Sequence, residues 1–333
     1  MRPRQPPEWA EHEWVWIGFP SHADLWEEDL DPARAEVIAF ARTVHADGAG
    51  EEVRLVAADP ASAERAREMA GPGITIIEEP FGDIWLRDTG PLILKGNGAR
   101  LASSFGFNGW GGKYQLEGDD TIGARLANTM DLTADRHDWI LEGGAIDVDG
   151  TGLAVTTEQC LLNPNRNPGL PREEIEARLR SQLGIDRLLW LGEGLLNDHT
   201  DGHVDNLARF VSEGRIAIPV PFGDDDPNEV VYLDARKRAE AFGLSVVGLP
   251  SPGRVERPST SLGTGCEIIP ASYMNFYIGN AAVVVPVYGS ANDDAAVEAI
   301  GALFPGRTAV GFRADHVLTG GGSFHCISQQ VPK

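Results

Sequence analysis

Short apolar runs, alternating or continuous, take turns along this chain with longer stretches in which apolar residues return every third or fourth position. The short runs predict strands over 14–20, 53–57 and 74–78, and the longer ones predict helices over 31–45 and 60–70, with Pro32 in the first turn of the former. A second round begins with a strand over 84–95, turns at Gly96-Asn-Gly98, returns over 100–107, and continues into a helix over 120–130 and a strand near Trp139. The third pairs 144–149 with 153–156 across Gly150-Thr-Gly152, followed by a helix over 172–183 and a strand over 187–191. In the fourth, 203–211 pairs with 215–219 across Glu213-Gly214, before a helix over 228–242 and a strand over 245–249. The fifth runs from 274–278 through Gly279-Asn280 to 281–287, a helix over 293–304 and a strand over 308–312. A last strand, 323–330, lacks a partner in its own round and is expected to complete the first unit beside 14–19, which also covers an edge.

Hairpin, helix and strand thus recur five times at a spacing of roughly 55–65 residues, the order of repeat length found in propeller-like arrays. The expected fold is α/β, a five-bladed pseudo-symmetric α/β propeller; an ordinary α/β sandwich with hairpins shares the pattern. No Ser/Gly-rich linker or shift of composition divides the 333 residues, so 1–333 is expected to be a single domain.

Charge narrows the function. Fifty acidic residues against 28 basic ones leave a formal net charge of −22, which opposes nucleic-acid binding and suits a small cationic substrate. No run is apolar enough to span a membrane, and the opening residues lack a signal-peptide core, so the expected setting is cytoplasmic. Three scattered cysteines (Cys160, Cys266 and Cys326) make neither a disulfide framework nor a CxxC metal site. Oligomeric state is left open, a homo-oligomer included.

Four glycine-bearing motifs occupy equivalent places in successive units: Leu86-Arg-Asp-Thr-Gly90, Leu141-Glu-Gly-Gly144, His199-Thr-Asp-Gly202 and Thr319-Gly-Gly-Gly322. If the units close into a ring, their ends converge, and Asp88, Glu142, His203, Asp205 and Cys326 face one pocket. Carboxylates match the planar donors of a guanidinium two at a time, so Asp88 and Asp205 suit a guanidino group. A thiol beside it is a nucleophile, its ionisation favoured by the cation, and His203 can carry protons to and from the leaving group and water. Glu142 could orient His203 or share the guanidinium. Each residue has a plainer alternative: Asp88 as a surface ion pair with Arg87, Glu142 as a turn residue, His203 and Asp205 on a half-exposed strand face, Cys326 in the core. The density of His and Asp over 198–205 also matches a paired Mn²⁺ site that would hydrolyse a guanidino group to urea. Cys160 in an Asn/Pro-rich loop and Cys266 in Gly263-Thr-Gly-Cys-Glu267 remain alternatives as the reactive thiol. The run Phe105-Gly-Phe-Asn-Gly-Trp-Gly-Gly-Lys-Tyr114 suits a loop that lays Trp110 or Tyr114 over a cation, as Trp85 could.

Several segments in order resemble the agmatine deiminases, within the group that also contains bacterial-type peptidylarginine deiminases. They are Trp16-Ile-Gly-Phe-Pro-Ser21, Trp85-Leu-Arg-Asp-Thr-Gly-Pro91, Phe107-Asn-Gly-Trp-Gly-Gly-Lys-Tyr114, Leu141-Glu-Gly-Gly-Ala-Ile-Asp147, residues 156–168, Thr200-Asp-Gly-His-Val-Asp205, Pro270-Ala-Ser-Tyr-Met-Asn-Phe-Tyr277 and Gly320-Gly-Gly-Ser-Phe-His-Cys326. The resemblance implies the five-bladed guanidino-modifying fold, Cys326 as the nucleophile, His203 as acid and base, Glu142 assisting it, Asp88 and Asp205 binding the guanidinium, and Trp85 packing on substrate. It further implies hydrolysis of agmatine to N-carbamoylputrescine and ammonia in polyamine biosynthesis, without metal or organic cofactor. An arginine or peptidyl-arginine deiminase on the same fold is the alternative. Compact loops near 224–227 and 251–261 are where recognition of the substrate tail is expected to differ.

Overall fold

The computed structural model describes residues 2–258 and 266–333; the Gly263–Gly265 part of the segment read around Cys266, and the end of the loop read over 251–261, lie outside them. Strands pair as the repeats predict. The first unit holds β1 (His12–Gly18), β2 (Glu52–Ala57) and β3 (Ile74–Glu78), all parallel. In the next, β4 (Leu92–Gly96) is antiparallel to β5 (Ala99–Gly106), which runs parallel to β6 (Ala134–Ile140). The same order recurs in β7 (Asp147–Val148), β8 (Leu153–Thr157) and β9 (Arg187–Leu191). It returns in β10 (Arg209–Ser212), β11 (Arg215–Val220) and β12 (Ser245–Pro250). A separate hairpin, β13 (Glu256–Pro258) with β14 (Cys266–Ile268), precedes β15 (Tyr277–Ile278), β16 (Ala282–Val287) and β17 (Thr308–Arg313), which repeat the pattern. The final strand, β18 (Ser328–Pro332), pairs antiparallel with β1, so the end of the chain supplies the hairpin partner that the first unit lacks. The β13–β14 hairpin falls where only loop was expected.

Helices follow their sequence signals. Asp59 accepts hydrogen bonds from the backbone N–H groups of Ala61 and Ser62, and Pro60 opens the helix Pro60–Ala70, satisfying donors that the helix cannot. The helix Leu30–His45 buries Ala33, Val37, Ile38, Phe40, Ala41 and Val44, a stripe of helical period that packs on β2 and on β16 of the fifth unit.

One expectation fails the same way in every unit. The strands read over 84–95, 144–149, 203–211, 274–278 and 323–330 each begin with a tight turn instead. Leu86–Thr89 is one helical turn, Gly143–Ala145, Val204–Asn206 and Tyr273–Asn275 are 3-10 turns, and 324–327 is a turn that ends at β18. These turns are buried from all sides, so their side chains carry no period to distinguish them from a strand. Phe324, Cys326 and Ser328 are therefore not three positions of one strand face, and His203 precedes a buried turn that contains Asp205, so neither lines a half-exposed sheet.

A charged network ties the turns together beneath the site. Arg209, fully buried, donates to Glu8 at 2.6 Å, to Asp147 at 3.2 Å, and to the carbonyls of Met274 and Phe276 at 3.2 and 2.9 Å. A buried guanidinium is tolerable only when its donors are met in this way. Three distant segments are thereby fixed to one side chain.

Candidate active site

Cys326 sits in the last of these turns, with its thiol aimed at Asn275 and Asp205. Its Sγ lies 3.0 Å from Asn275 Nδ2 and 3.6 Å from Asp205 Oδ2. Asn275 Oδ1 accepts from the backbone N–H groups of His325 and Cys326, at 3.1 and 3.3 Å, so one amide holds both the turn and its sulfur. The preceding glycines let the chain come this close: a Cβ on Gly322 would stand 2.9 Å from Cys326 Cβ, 3.0 Å from its Sγ and 2.7 Å from the Trp85 ring. Burial, then the charges of Asp205 and Asp88, push the thiol well above its usual range. Without a cation beside it the sulfur keeps its proton.

Asp205 Oδ2 accepts from His325 Nδ1 at 2.7 Å, and His325 Nε2 meets Glu8 at 2.7 Å on its other side. Burial alone would raise the Asp205 carboxyl; the hydrogen bond and charge of His325, with His203 and Arg209, outweigh it and hold the group below its ordinary value. Its second oxygen, Oδ1, makes no hydrogen bond among the described residues. Asp88 is set differently. Its Oδ1 accepts from the Gly144 N–H at 2.9 Å and its Oδ2 from the Trp110 indole N–H at 2.9 Å. Burial and the nearby Asp205 and Glu142 charges raise its carboxyl, against the pull of His203. Arg87 and Asp88 do not form the surface ion pair considered from sequence: both are buried, and Arg87 instead turns to the His325 carbonyl and the Glu8 carboxylate.

His203, also buried, has its Nδ1 at 3.7 Å from Asp88 Oδ1. Burial works against its charge, yet Asp88, Cys160 and Glu142 together raise it well above the usual imidazole range. Gly144 lies where these groups meet: a Cβ there would stand 2.7 Å from His203 Nδ1, 2.9 Å from Asp88 Oδ1 and 3.1 Å from Asp205 Oδ2. The Leu-Glu-Gly-Gly motif is thus glycine at that position because acid, base and imidazole converge on it. Glu142, fully buried, is held by Arg166 at 2.6 Å and makes no hydrogen bond to His203. Arg166 also reaches Asp201 and the Thr200 carbonyl, both at 2.6 Å.

Trp85, Asp88, Trp110 and Cys326 line a narrow cleft of about 30 Å³, which shares Tyr114, His199 and Gly321 with an outer vestibule of about 510 Å³ bordered by Lys113 and β14. The vestibule is of the order that holds a small ligand. Trp85 is anchored through its N–H to Asp83 at 2.8 Å and stacks against Trp26, leaving its face to the cleft. Trp110 adopts φ +52°, a left-handed conformation that a bulky residue accepts only under constraint, and this turns its indole N–H onto Asp88. All seven residues singled out from sequence are gathered here: Cys326, His203, Glu142, Asp88, Asp205, Trp85 and Trp110.

The His/Asp run at 198–205 does not converge as a paired-metal site would require. Asp198 caps its own turn through Thr200, Asp201 pairs with Lys113 and Arg166, and His203 faces Asp88. Sequence reasoning left several supporting residues without a role. Asn275 and Arg166 lay inside quoted motifs but carry no charge pattern that points to the pocket, and Glu8 and His325 act through a buried network that only folding assembles.

A family model described as the Porphyromonas-type peptidyl-arginine deiminase matches residues 4–332. The chain belongs to that family. Within reach of it stands the agmatine deiminase of Stutzerimonas stutzeri, 34% identical, covering 98% of this chain and 95% of that protein. Among solved structures, an agmatine deiminase of Enterococcus faecalis superimposes with a TM-score of 0.91 at 32% identity, covering 99% of this chain and 96% of its own. A cysteine-to-serine agmatine deiminase from C. jejuni with substrate bound superimposes with a TM-score of 0.91 at 28% identity, over 100% and 97% of the two chains. The family resemblance read from the motifs is borne out, and family membership extends over nearly every residue of the fold.

Proposed function

We propose that this protein hydrolyses agmatine to N-carbamoylputrescine and ammonia through a covalent intermediate on Cys326. The observation that carries the reading is the placing of the Cys326 thiol beside Asp205 and across one cleft from Asp88, in a chain whose relatives are agmatine deiminases over their full length. Asp88 and Asp205 receive the guanidinium and set its central carbon before the sulfur. The cation offsets the carboxylate charges that keep the thiol protonated, so when substrate is present the thiol gives its proton to solvent and the thiolate nucleophile forms. Thiolate attack forms a C–S bond; the C–N bond to the terminal nitrogen then breaks, and His203, held as imidazolium, protonates the departing ammonia. Water, deprotonated by the same imidazole, attacks the amidino carbon, and cleavage of the C–S bond returns the thiol and releases the ureido product. Glu142, with Arg166 behind it, favours the protonated imidazole. Trp85 and Trp110 wall the cleft, and Trp110 also aims Asp88.

The five units are read as blades about a common axis within one catalytic domain spanning 1–333, a reading supported by the pairing of β18 with β1. A place in polyamine biosynthesis and a cytoplasmic setting accompany this reading. Among the described residues no helix is long and apolar enough to cross a membrane. A second reading, an arginine or peptidyl-arginine deiminase, draws on Lys113 and Arg257 in the vestibule, which could meet an α-carboxylate. Both are already paired, with Asp201 and Glu267, which favours the amine tail of agmatine. Purified protein given agmatine or arginine, with ammonia, urea and ureido product measured separately, tests both. Ammonia and N-carbamoylputrescine from agmatine, abolished by Cys326→Ala with folding intact, is the expected result. Urea as product, or wild-type turnover by Cys326→Ala, would overturn it.

A further inference from the structure

Behind the imidazole lies a nucleophilic group that this reaction leaves idle. Cys160 occupies a one-turn helix, Glu158–Leu161, whose N-cap hydroxyl on Thr157 accepts the Cys160 N–H at 3.2 Å, and it is fully buried. Its Sγ, a carboxylate oxygen of Glu142 and a ring nitrogen of His203 all lie within 4.8 Å of one another. A separate observation points to a ligand there. Both ring nitrogens of His203 and Oε2 of Glu142 are buried and make no hydrogen bond of normal geometry to the described residues. Buried polar atoms are ordinarily satisfied, and while Nδ1 of His203 is turned to Asp88, a carboxylate oxygen and the other imidazole nitrogen beside one thiol form a site prepared for something with empty orbitals.

One sulfur, one imidazole nitrogen and one carboxylate oxygen, with a fourth position open, is a donor set that suits zinc. Bonds of about 2.0–2.3 Å place tetrahedral ligands about 3.3–3.7 Å apart, so the three atoms, now within 4.8 Å of one another, must close by roughly 1.5 Å at most. We propose that Glu142, Cys160 and His203 form an inhibitory Zn²⁺ site, distinct from the Cys326 nucleophile. Binding is a ligand exchange: Zn–S and Zn–N bonds form, the thiol proton and one imidazolium proton leave to solvent, and the net charge of the site is unchanged. The cation then occupies the imidazole that must pass protons in the reaction proposed above. The inhibition rests on that role of His203; the binding does not.

Binding and turnover are therefore measured apart, all on a Cys266→Ser background so that the exposed thiol contributes nothing. Co²⁺ serves as the optical probe, and Zn²⁺ affinity is measured by chelator competition. A thiolate-to-cobalt absorption band is expected with Cys326→Ser and lost with Cys160→Ser. Zn²⁺ affinity should fall at least tenfold in Cys160→Ser, and the zinc concentration that halves turnover, referred to that variant's own metal-free rate, should rise in parallel. A band that survives Cys160→Ser but vanishes in Cys326→Ser would place the metal on the nucleophile and overturn the proposal. So would absence of any band in Cys326→Ser, which decides the question even if the Cys160 variant fails to fold. Zinc binding with these properties in a protein inactive on agmatine would sink the deiminase reading and leave the site standing.

Discussion

Replacing Gly144 by alanine adds one methyl group at the point where the candidate site converges. Gly144 is outside the left-handed region, so the backbone accepts a side chain and any effect belongs to the methyl alone. The new Cβ would stand 2.7 Å from His203 Nδ1, 2.9 Å from Asp88 Oδ1 and 3.1 Å from Asp205 Oδ2, where ordinary contact begins near 3.4 Å. Three groups must therefore retreat by about 0.3–0.7 Å, and the two carboxylates cannot do so freely: Asp205 is held by His325 and Asn275, Asp88 by Trp110 and the Gly144 N–H itself. Misplacement on the ångström scale costs about 100-fold in rate, or roughly 2.7 kcal/mol of barrier. Overpacking should remove about 1–3 kcal/mol of stability as well. The assay is ammonia release from agmatine across substrate concentrations, with a urea-unfolding midpoint on the same preparation. A fall in kcat/KM of about two orders of magnitude in a folded protein is expected. Activity within twofold of wild type would refute the reasoning, because it would mean that these three groups do not need the geometry seen here.

Three further outcomes follow from individual contacts. Trp110→Phe keeps a ring on the cleft but leaves Asp88 Oδ2 without its donor; a hydrogen bond to a charged group is worth about 1.5–3 kcal/mol, so kcat/KM should drop roughly 10- to 100-fold, and an unchanged value would show that the indole N–H does not set the carboxylate. Burial pushes Asp119 up to about 7, so between its unfolded value near 3.8 and about pH 7 the folded protein retains a proton that the unfolded chain has lost. Stability present in acid is thus lost as pH rises through that window, and Asp119→Asn should flatten the dependence by up to roughly 3 kcal/mol between pH 5 and pH 8, checked by urea unfolding at those two values. Because burial, Asp205 and Asp88 hold the Cys326 thiol protonated, its alkylation by iodoacetamide, followed on the Cys326 peptide by mass, should be slow at neutral pH and still rising beyond pH 9; a plateau by pH 7 would contradict this.

The repeat of hairpin, helix and strand was legible because each element leaves a local mark: the period of apolar residues, Asp59-Pro60 before a helix, Gly150-Thr-Gly152 in a hairpin. So was the identity of the residues that gather at the cleft, since Asp88, Glu142, His203, Asp205 and Cys326 each stand beside glycines in equivalent places, and the motifs around them belong to one family. The five turns were not legible. A segment enclosed on every side has no polar face, and 324–327 looks like a strand to any reading of period.

What the chain by itself determined is therefore the kind of unit, the number of times it recurs, and which chemical groups are carried to the end of each. Tertiary structure alone decided how those groups are aimed. Asn275 grips the sulfur from 51 positions away, His325 joins Asp205 to Glu8 across the whole chain, and Cys160 comes to rest behind His203. Hydrogen bonds and electrostatic pairs fall off over a few ångströms of space and are indifferent to separation along the chain, so no local pattern records them. Only folding, which brings the segments at Glu8, Asp147 and 274–276 onto one guanidinium, Arg209, sets such partners within that reach.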